Sequence, residues 1–419
     1  MLSLRKILVY SIIFSSATII GYDSGYLNGV LGSEDFIRIY GVKHGVTGEL
    51  YLTPYTRSMF SALFVVGALI GCQLVAPPTS LIGRRGNLLA ASITYAVGVA
   101  LQTAGLAPAV FIVGRFLLGI ALVPAYLMEC STPTNRGQLM AFYTQFLTTG
   151  NYTESRSWRI TIAFQLVLAL IVFVGVFFCP ESPLLLAKKS QKSETRRALA
   201  ILRNADINSL EVDEAMVEVE NYIADQSANG SAKFIECFRG TDLRRTLIGV
   251  AMSFFTISTG ITFWFGYGTT FFAAAAVDDS YLISLVLAIN NCVFMAPSMY
   301  LIERLGRRTS LIIGGVLMGL AQLLTGVIHS AAPDSKADKM MLIVGAVFFI
   351  ASYAPTWGIG GWLLMAEPLS DRARNYQSSI VLTAYCIITW LVGFVTPYMI
   401  DETAGNLGVK VSYIWFGMP

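Results

Sequence analysis

The chain has 419 residues, of which 55% are hydrophobic and 13% are charged, and its formal net charge is +3. Soluble domains carry about a quarter charged residues, so this composition predicts a protein that buries its apolar surface in lipid. Lys and Arg stand at the ends of apolar runs and form no single patch, which gives no support to nucleic-acid binding. The six cysteines are scattered without a CxxC or Cys/His cluster, so we interpret them as packing residues and expect neither a metal nor a cofactor.

Long apolar runs indicate membrane-spanning helices, since about 20 such residues cross the hydrocarbon core. The first run follows Arg5 and Lys6 without a small-residue cleavage site, which predicts a retained span and not a signal peptide. The candidate spans are 7–30, 58–78, 88–107, 110–128, 137–150, 160–179, 246–275, 280–302, 309–330, 341–366 and 376–400, followed by the beginning of another at 411–419. The fifth covers only roughly 21 Å of a ~30 Å core, so we expect this helix to be incomplete.

The middle of the chain, residues 181–245, is polar and charged and contains two helix-like runs. It predicts a cytosolic helical linker between two membrane bundles, residues 1–180 and residues 246–419. The predicted fold class is all-α, a polytopic membrane protein of two six-helix bundles. The chain ends at Pro419, inside the expected last helix, which we interpret as a truncated or damaged gene product or an incomplete gene model.

Lys and Arg are unevenly divided between the two sides of the predicted membrane. If the spans alternate, one side receives the N-terminus, the linker and most of the basic turns. Cytosolic loops carry an excess of Lys and Arg, so we expect the N-terminus and the linker in the cytosol and the protein in the plasma membrane. Asn151-Tyr152-Thr153 would then be a glycosylation acceptor on the outside.

Two short segments repeat each other in the two halves. Leu81-Ile82-Gly83-Arg84-Arg85 stands between two apolar runs of the first half, and Leu305-Gly306-Arg307-Arg308 stands between two of the second. Each half therefore contains an apolar helix, a tight basic turn and a second apolar helix. Parallel repeats of this kind are typical of secondary transporters built from two bundles, with a substrate path between them.

Further motifs occur in an order and at a spacing that one transporter family shares. They are Gly21-Tyr22-Asp23-Ser24-Gly25, Gly114-Arg115, Pro124-Ala125-Tyr126 with Glu129, Arg136-Gly137, Ser157-Trp158-Arg159-Ile160, Pro180-Glu181-Ser182-Pro183, the segments 266–272 and 303–308, and Phe394-Val395-Thr396-Pro397-Tyr398. From about Gly21 to Met418 the chain resembles the sugar porter family of the major facilitator superfamily. Within that family, its motifs resemble those of the fungal monosaccharide (hexose) transporters. The resemblance implies the major facilitator fold and transport of a sugar.

The resemblance also implies gating roles for charged residues near the basic turns. They are Arg84, Arg85, Glu129, Arg136, Glu181, Glu303, Arg307, Arg308, Glu367 and Arg372. Because a guanidinium fork binds a carboxylate at two points, we expect the first pair of arginines to meet Glu129 or Glu181 and the second pair to meet Glu367. The alternative is that these arginines only anchor the topology. We expect the arginine–carboxylate pairs to lock the outward-open state and to break as the bundles rock. Ser80 and Leu81 stand where the family has Asp and Arg, so we expect the lock in the first half to be the weaker one.

Two ionisable residues, Asp23 and Arg115, lie inside predicted spans, where such side chains are costly and face a cavity or a partner. In proton-coupled sugar porters the matching Asp and Arg form a pair whose protonation is coupled to sugar binding. Facilitators of the family carry the same Asp. A static pair that tethers two helices is therefore the alternative.

The sugar pocket that the resemblance implies is only partly present. A sugar needs side-chain amides, which donate and accept hydrogen bonds, and an aromatic face to stack on. The implied substrate-binding residues are Gln145, Gln165, Asn291 and Trp362, for which packing is the alternative role. The amides of the family's seventh helix are replaced by Thr256, Ile257 and Thr262, and Tyr385 and Cys386 stand in place of an Asn-Trp pair. These replacements predict weakened hexose binding.

Two functions fit these patterns. The first is transport of a monosaccharide or polyol, with or without protons, by alternating access through a monomer in the lipid bilayer. The second is a non-transporting or degraded relative with a sensor or partner-binding role, which the lost amides, the short fifth helix and the short interval from Gly114 to Pro124 favour. A membrane enzyme would need a polar catalytic cluster, and the sequence contains no His pair, Ser/His/Asp set or paired intramembrane carboxylates.

Overall fold

The computed structural model describes most of the chain. Described are residues 19, 21–23, 25–43, 48, 50–105, 107–121, 156–177, 180–203, 205–228, 234–274, 280–333, 335–370, 372–401 and 404–418, with side chains for most of them. The predicted fifth span at 137–150 lies outside these ranges, as do Glu129, Arg136 and Gln145, and the side chain of Arg84 is not described either.

The described residues of the first half form helices and one short pair of strands. A helix runs over residues 19–32, of which residues 20 and 24 are not described, and is named α1. It is followed by α2 (Glu34–Tyr40), β1 (Val42–Lys43), β2 (Leu50–Tyr51), α3 (Pro54–Ala104), α4 (Pro108–Ala121) and α5 (Arg156–Val176). The two strands pair antiparallel, with Val42 opposite Tyr51. The predicted spans 58–78 and 88–107 fall on either side of a break in α3 at Gly83.

Local sequence explains the bounds of α3. Thr53 is its N-cap, and the Thr53 hydroxyl oxygen accepts a hydrogen bond from the Thr56 N–H at 3.2 Å. Pro54 occupies the first helical position, where the missing N–H costs nothing. Gly105, at φ 61°, ends the helix in the left-handed conformation that a C-terminal glycine adopts readily.

Three helices form the predicted linker: α6 (Pro183–Lys188), α7 (Lys192–Arg203) and α8 (Leu210–Ala228), followed by a 3₁₀ turn at Phe234–Phe238. Ion pairs join α7 to α8, including Lys192–Glu220 at 2.9 Å and Arg203–Glu218 at 3.2 Å. A small apolar cluster around Leu199 and Val212 lies between the two helices. The described residues of this segment are therefore mostly helical, with side-chain contacts between α7 and α8.

The described residues of the second half are also mostly helical. Its helices are α9 (Gly240–Ser258), α10 (Ile261–Ala274), α11 (Ser280–Met295), α12 (Ser298–Leu305), α13 (Arg307–Ala331), α14 (Lys336–Tyr353), α15 (Trp357–Ala366), α16 (Arg374–Ile400) and α17 (Val411–Phe416), the last preceded by a 3₁₀ turn at Gly408–Lys410. Three spans that the sequence predicts as continuous are broken here, at residues 259–260, 296–297 and 354–356. Pro297 and Pro355 stand at two of these breaks, because proline lacks the N–H that a continuing helix needs.

Each half has its own apolar core. Tyr22, Phe60 and Trp158 belong to the first core, and Trp264 and Phe349 belong to the second. Among the described residues, five helical stretches are long and apolar enough to cross a membrane: Arg85–Ala104, Arg156–Val176, Arg307–Ala331, Lys336–Ala366, which includes the break between α14 and α15, and Tyr376–Ile400. Large apolar side chains cover the outside of the bundles, and lipid is the medium that makes this arrangement stable.

The repeated basic turns have matching backbone conformations. Gly83 has φ 88° and ψ 171°, and Gly306 has φ 77° and ψ 155°. A positive φ with an extended ψ is a conformation that essentially only glycine adopts, so the repeated glycine has a structural reason in both halves. We call the end of the molecule with these two turns the basic end, and the end with the β1–β2 hairpin the distal end.

Candidate functional site

The centre of the first bundle holds a buried ion pair. Asp23 lies on α1 and Arg115 on α4, and Arg115 Nη1 donates to Asp23 Oδ1 at 3.1 Å and to Oδ2 at 3.3 Å. The exposed fraction is 3% for the Arg115 side chain and 0% for that of Asp23. The two charged residues that the sequence places inside spans are therefore brought into direct contact.

Arg115 has further partners that satisfy its donors. Its Nε donates to the Phe60 carbonyl oxygen at 2.9 Å, and its Nη1 donates to Tyr26 Oη at 2.9 Å. Its guanidinium carbon lies 4.7 Å from the centre of the Phe64 ring and 5.5 Å from that of Tyr26. A buried charge is tolerated only when such hydrogen bonds and π contacts replace water. These contacts explain how the bundle holds a full guanidinium in its interior.

The network extends from this pair into two more helices. Tyr26 Oη donates to Gln102 Oε1 at 2.6 Å, and Tyr22 Oη donates to the Thr161 carbonyl oxygen at 2.8 Å. Gln165 of α5 is fully buried beside Tyr26, and its amide interacts with the Tyr26 hydroxyl. Sequence reasoning missed Tyr22, Tyr26 and Gln102. Two of them had a signal in the sequence: Tyr26 stands three residues after Asp23, on the same helical face, and Gln102 is a polar residue inside an apolar run.

The sequence-predicted sugar contacts that the structure describes lie on three helices, α5, α11 and α15. Gln165 belongs to the network of the first bundle. Asn291, on α11, is buried in the second bundle. Trp362, on α15, is 48% exposed, and its ring centre lies 4.8 Å from that of Tyr385 on α16. The aromatic face that the sequence assigns to a sugar thus has a second aromatic ring against it.

The replaced amide positions of α9 have local partners. Thr256 Oγ1 donates to the Met252 carbonyl oxygen at 2.7 Å, one turn back in its own helix. Gly361 packs directly on Thr256, because a Cβ at Gly361 would lie 2.6 Å from Thr256 Oγ1. Ile257 is 2% exposed. Thr256 and Ile257, which replace the family's glutamines, therefore pack in the core, and the Thr256 hydroxyl bonds its own helix. No side-chain amide occurs in α9.

Several hydrogen bonds between described residues join the two bundles toward the distal end. Ser58 Oγ donates to the Phe394 carbonyl oxygen at 2.7 Å, and Tyr281 Oη donates to the Gly29 carbonyl oxygen at 3.0 Å. Tyr267 Oη donates to the Gly393 carbonyl oxygen at 2.8 Å and lies 2.5 Å from Ser61 Oγ. Because Ser58 is near the start of α3 and Phe394 near the end of α16, both helices have this end of the molecule in common. At this end, α3 packs along α16.

The basic end of the first bundle is organised by Glu181. Its carboxylate oxygens each lie 3.4 Å from the Arg85 backbone nitrogen, and Glu181 Oε1 accepts from the Ser182 N–H at 3.0 Å. The Arg85 side chain donates through Nη2 to the Phe177 carbonyl oxygen at 3.2 Å. Glu181 thus binds the backbone of the turn after Gly83, and the arginine fork binds the end of α5.

The basic end of the second bundle contains two ion pairs. Arg307 Nη2 lies 3.1 Å from Glu367 Oε1, and Arg372 Nη2 lies 3.0 Å from Glu236 Oε2. Arg308 and Glu303 are exposed. The expected meeting of the second pair of arginines with Glu367 is thus present for Arg307. Both partners belong to the second half, so the pair holds helix ends of one bundle together.

A buried amide reinforces this end, and sequence reasoning missed it. Gln377 Oε1 accepts from the Ser370 N–H at 2.8 Å, and Gln377 Nε2 donates to the Asp242 carbonyl oxygen at 3.0 Å and to Thr246 Oγ1 at 3.2 Å. The side chain is 0% exposed. It ties the start of α9 to the loop before α16. Within the part of the chain that the structure describes, no group of His, Cys, Asp and Glu lies close enough to hold a metal ion.

Comparison with known proteins defines the class. The all-α architecture is similar to that of solved structures of the xylose transporter XylE, a major facilitator protein. The family model described as "Sugar (and other) transporter" matches residues 8–418, and the chain belongs to this family. It is thus a membrane-embedded transporter homologue and not an enzyme.

Three relatives cover nearly the whole chain. The Major facilitator-type transporter ecdD of Aspergillus rugulosus is 28% identical over 444 residues, which span 98% of this chain and 82% of that protein. The High-affinity hexose transporter HXT6 of Saccharomyces cerevisiae is 29% identical over 431 residues, 95% of this chain and 74% of that one. The High glucose sensor RGT2 of the same yeast is 28% identical over 442 residues, 99% of this chain and 57% of that protein.

A solved structure gives the fold. The inward-open conformation of the xylose transporter XylE from E. coli has a TM-score of 0.78 to this chain at 18% identity, over 99% of this chain and 93% of that one. This likeness concerns the architecture alone.

Proposed function

We propose that the protein transports a monosaccharide or a related polyol across a membrane by alternating access, as a monomer, with the basic end in the cytosol. Membership in a sugar transporter family supports transport of a sugar. The excess of Lys and Arg at the basic turns and in the linker supports the orientation, and the plasma membrane is the expected location. The relative HXT6, named a hexose transporter, supports a hexose-sized substrate.

One observation carries the alternating-access part of the proposal. The two bundles have separate cores, and the hydrogen bonds between them lie at the distal end. These bonds join a hydroxyl to a carbonyl or, for Ser61 and Tyr267, two hydroxyls, and the net contribution of each is roughly 0.5–1.5 kcal/mol. Such bonds form and break at low cost, so the distal end is suited to opening and closing while each core remains packed. The described state is closed at the distal end.

The gating residues act in this scheme by making each bundle a unit. The Arg307–Glu367 and Arg372–Glu236 pairs and the Glu181 contacts to the first basic turn lie within single bundles or between a bundle and the linker. They hold helix ends together during rocking. The partly exposed Arg307–Glu367 pair contributes little to stability on its own. We assign the same role to Arg84, Glu129, Arg136, Glu303 and Arg308.

Proton coupling is proposed at Asp23. Release of Arg115 by a protonated Asp23 would free the guanidinium for Tyr26, which it already contacts. Tyr26 and Gln165 would carry this change toward the substrate path, which we place between the two bundles. Substrate contacts are assigned to Gln145 and Gln165 on the first bundle and to Asn291 and Trp362 on the second.

A specific observation favours a second function. Thr256 bonds its own helix and Tyr385 lies against Trp362, so the second bundle offers a sugar few free polar groups. The relative RGT2 is named a glucose sensor. A protein that binds a sugar and responds without moving it through the membrane is consistent with these contacts.

Counterflow in proteoliposomes separates the two functions. The purified protein is reconstituted in proteoliposomes that are loaded with unlabelled sugar, and the entry of labelled hexoses, pentoses and polyols is followed. Sugar binding is measured in parallel by tryptophan fluorescence. Saturable, stereospecific counterflow is expected. Sugar binding without counterflow would support the sensor. If the folded protein shows no binding and no counterflow, both functions are contradicted.

A further inference from the structure

The second bundle contains an apolar cavity away from the contacts between the bundles. Its volume is about 350 Å³. It lies where α11, α12, α13 and α14 meet, and its lining includes Phe294, Leu301, Ile313, Leu317, Phe348 and Pro355. Two of the helix breaks described above, after α11 and after α14, border it. The interrupted helices therefore leave space that continuous helices would fill.

The cavity opens toward the surrounding lipid. Phe294, Ile313 and Phe348 line it and are each more than 40% exposed. Water gains little there because almost all of the wall is apolar, and an empty cavity would forfeit dispersion contacts. An apolar chain from the bilayer is the ligand that such a wall accepts.

One buried polar group points to more than a hydrocarbon chain. Ser310 lines the cavity, is 1% exposed, and its hydroxyl has no hydrogen-bond partner in the described part of the chain. The other two hydroxyls of the lining are satisfied: Ser352 donates to the Phe348 carbonyl and Thr356 to the Ser352 carbonyl. A buried hydroxyl without a partner is unfavourable. A ligand with a carbonyl oxygen at this depth would satisfy Ser310.

The depth of Ser310 fits a lipid ester. Ser310 is three residues along α13 from Arg307, about 4.5 Å at the rise of an α-helix. It therefore lies just below the basic end, where the charged headgroups meet the hydrocarbon core. Glycerolipid esters occupy this same level of the bilayer.

Basic and aromatic residues stand beside the cavity at that level. Arg304 directly precedes Leu305 of the lining, and its guanidinium carbon lies 5.0 Å from the centre of the exposed Tyr300 ring. Arg307 and Arg308 follow, against the carboxylates of Glu303 and Glu367, and Arg307 is paired with Glu367. Positive charge is thus in excess here. Tyr and Arg at the lipid interface are suited to anionic headgroups.

We propose that this cavity binds one acyl chain of an anionic glycerophospholipid, with an ester oxygen at the Ser310 hydroxyl and the phosphate at Arg304. The chain occupies the space between the α11–α12 and α14–α15 breaks. The bound lipid then packs against the end of α14 and the start of α15 at Trp357. This site is independent of the sugar path.

Photolabelling in nanodiscs tests the site. The full chain is reconstituted in phosphatidylcholine with a trace of phosphatidylglycerol that carries a diazirine at the end of one acyl chain, and adducts are mapped by mass spectrometry. We expect adducts concentrated in residues 294–317 and 348–356. Adducts spread evenly over the apolar faces of all helices would overturn the proposal.

Variants sharpen the map. Ala351→Phe fills the cavity and is expected to lower labelling there at least about tenfold, since each buried methylene contributes several-fold to binding. Leu170→Phe, at an exposed position of α5 in the first bundle, is the control and should leave labelling of the cavity unchanged. Unchanged labelling in Ala351→Phe would contradict the site, and if that variant does not fold, the wild-type map decides alone.

The headgroup part has its own controls. Arg304→Gln should remove the preference for phosphatidylglycerol over a diazirine phosphatidylcholine, whereas Arg245→Gln, at another exposed position of the basic end, should keep it. Ser310→Ala should weaken both lipids equally. Equal labelling of wild type by the two lipids would overturn the headgroup assignment. Displacement by oleic acid but not by phosphatidylglycerol would identify a fatty-acid site instead.

Discussion

The two bundles treat their buried polar groups differently. In the first, Arg115 binds Asp23, Tyr26 and a backbone carbonyl in one connected network. In the second, Thr256 bonds its own helix and the Trp362 ring contacts the Tyr385 ring. The charge network that we link to protons is therefore complete, and the polar surface that we link to sugar recognition is small.

This difference has a physical reason. Removal of one member of a buried ion pair leaves an uncompensated charge, which destabilises the fold strongly. A buried amide that is replaced by Thr or Ile leaves no such charge, because the new side chain bonds its own helix or packs in the core. Sugar affinity can thus be lost position by position without loss of the fold. Loss of one charge of the buried pair, by contrast, destabilises the fold.

Arg115→Ala is the most severe test of this comparison. It leaves the Asp23 carboxylate buried without its partner, so we expect a loss of about 3–5 kcal/mol in the free energy of unfolding. The measurement is thermal unfolding of the purified protein in detergent. The control is the double variant Asp23→Asn with Arg115→Gln, which removes both charges and should lose less. Equal losses in the single and double variants would contradict a charge-pair network.

The two basic turns provide a matched pair of glycine substitutions. Gly306→Ala should cost about 1–3 kcal/mol, the strain of a backbone conformation that alanine avoids. Gly83→Ala should cost about 1–2 kcal/mol more, because the new Cβ would lie 2.4 Å from Glu181 Oε2 and displace the carboxylate from its N–H partners. At Gly306 a Cβ meets no atom within 4 Å. Unfolding in detergent measures both, and an equal cost would refute the role of Glu181 at the first turn.

Asn291→Ala tests the sugar side. We expect the apparent KM for a transported sugar to rise about tenfold, corresponding to a lost hydrogen bond of about 1–2 kcal/mol. Asn290→Ala is the control, because Asn290 Nδ2 donates to the Val347 carbonyl at 2.8 Å and supports packing. That variant should lower stability and leave KM unchanged. A rise in KM in both variants, or in neither, removes Asn291 from the substrate path.

Tyr267→Phe has the smallest expected effect. It removes the hydrogen bonds to Gly393 and Ser61 at the distal end, so the equilibrium should shift toward the distally open state by about 1 kcal/mol, roughly fivefold. Spin labels on the exposed residues Leu50 and Asn406 report the distance between the two bundles at this end. Tyr300→Phe, on the outside of the second bundle, should leave the distance distribution unchanged. A Tyr267 variant with the wild-type distribution would contradict the role of these contacts.

The sequence predicts much of the fold because lipid allows few solutions. A span needs a long apolar helix, and the repeated Gly-Arg turns mark where each half reverses. The helix breaks were not predictable in the same way. The break before α10 depends on Gly260 packing against Trp415, a contact that no local pattern reveals. Continuous apolar composition across residues 246–275 therefore concealed two helices.

The site is predictable in part for a similar reason. Asp23 and Arg115 stand out because charge inside a span demands a partner, and the structure pairs them. Tyr26, Gln102 and Gln377 do not stand out, because a neutral polar side chain in an apolar run has no fixed partner until the helices pack. Their roles follow from tertiary contacts alone.

Sugar accumulation driven by a proton gradient tests the central claim most directly. Wild type and Asp23→Asn are reconstituted in proteoliposomes, and accumulation under an inward proton gradient is compared with counterflow at equal pH. The account predicts that wild type accumulates sugar above equilibrium, whereas Asp23→Asn retains counterflow and loses accumulation. Accumulation by Asp23→Asn at the wild-type level would contradict the account and make the buried pair a static tether.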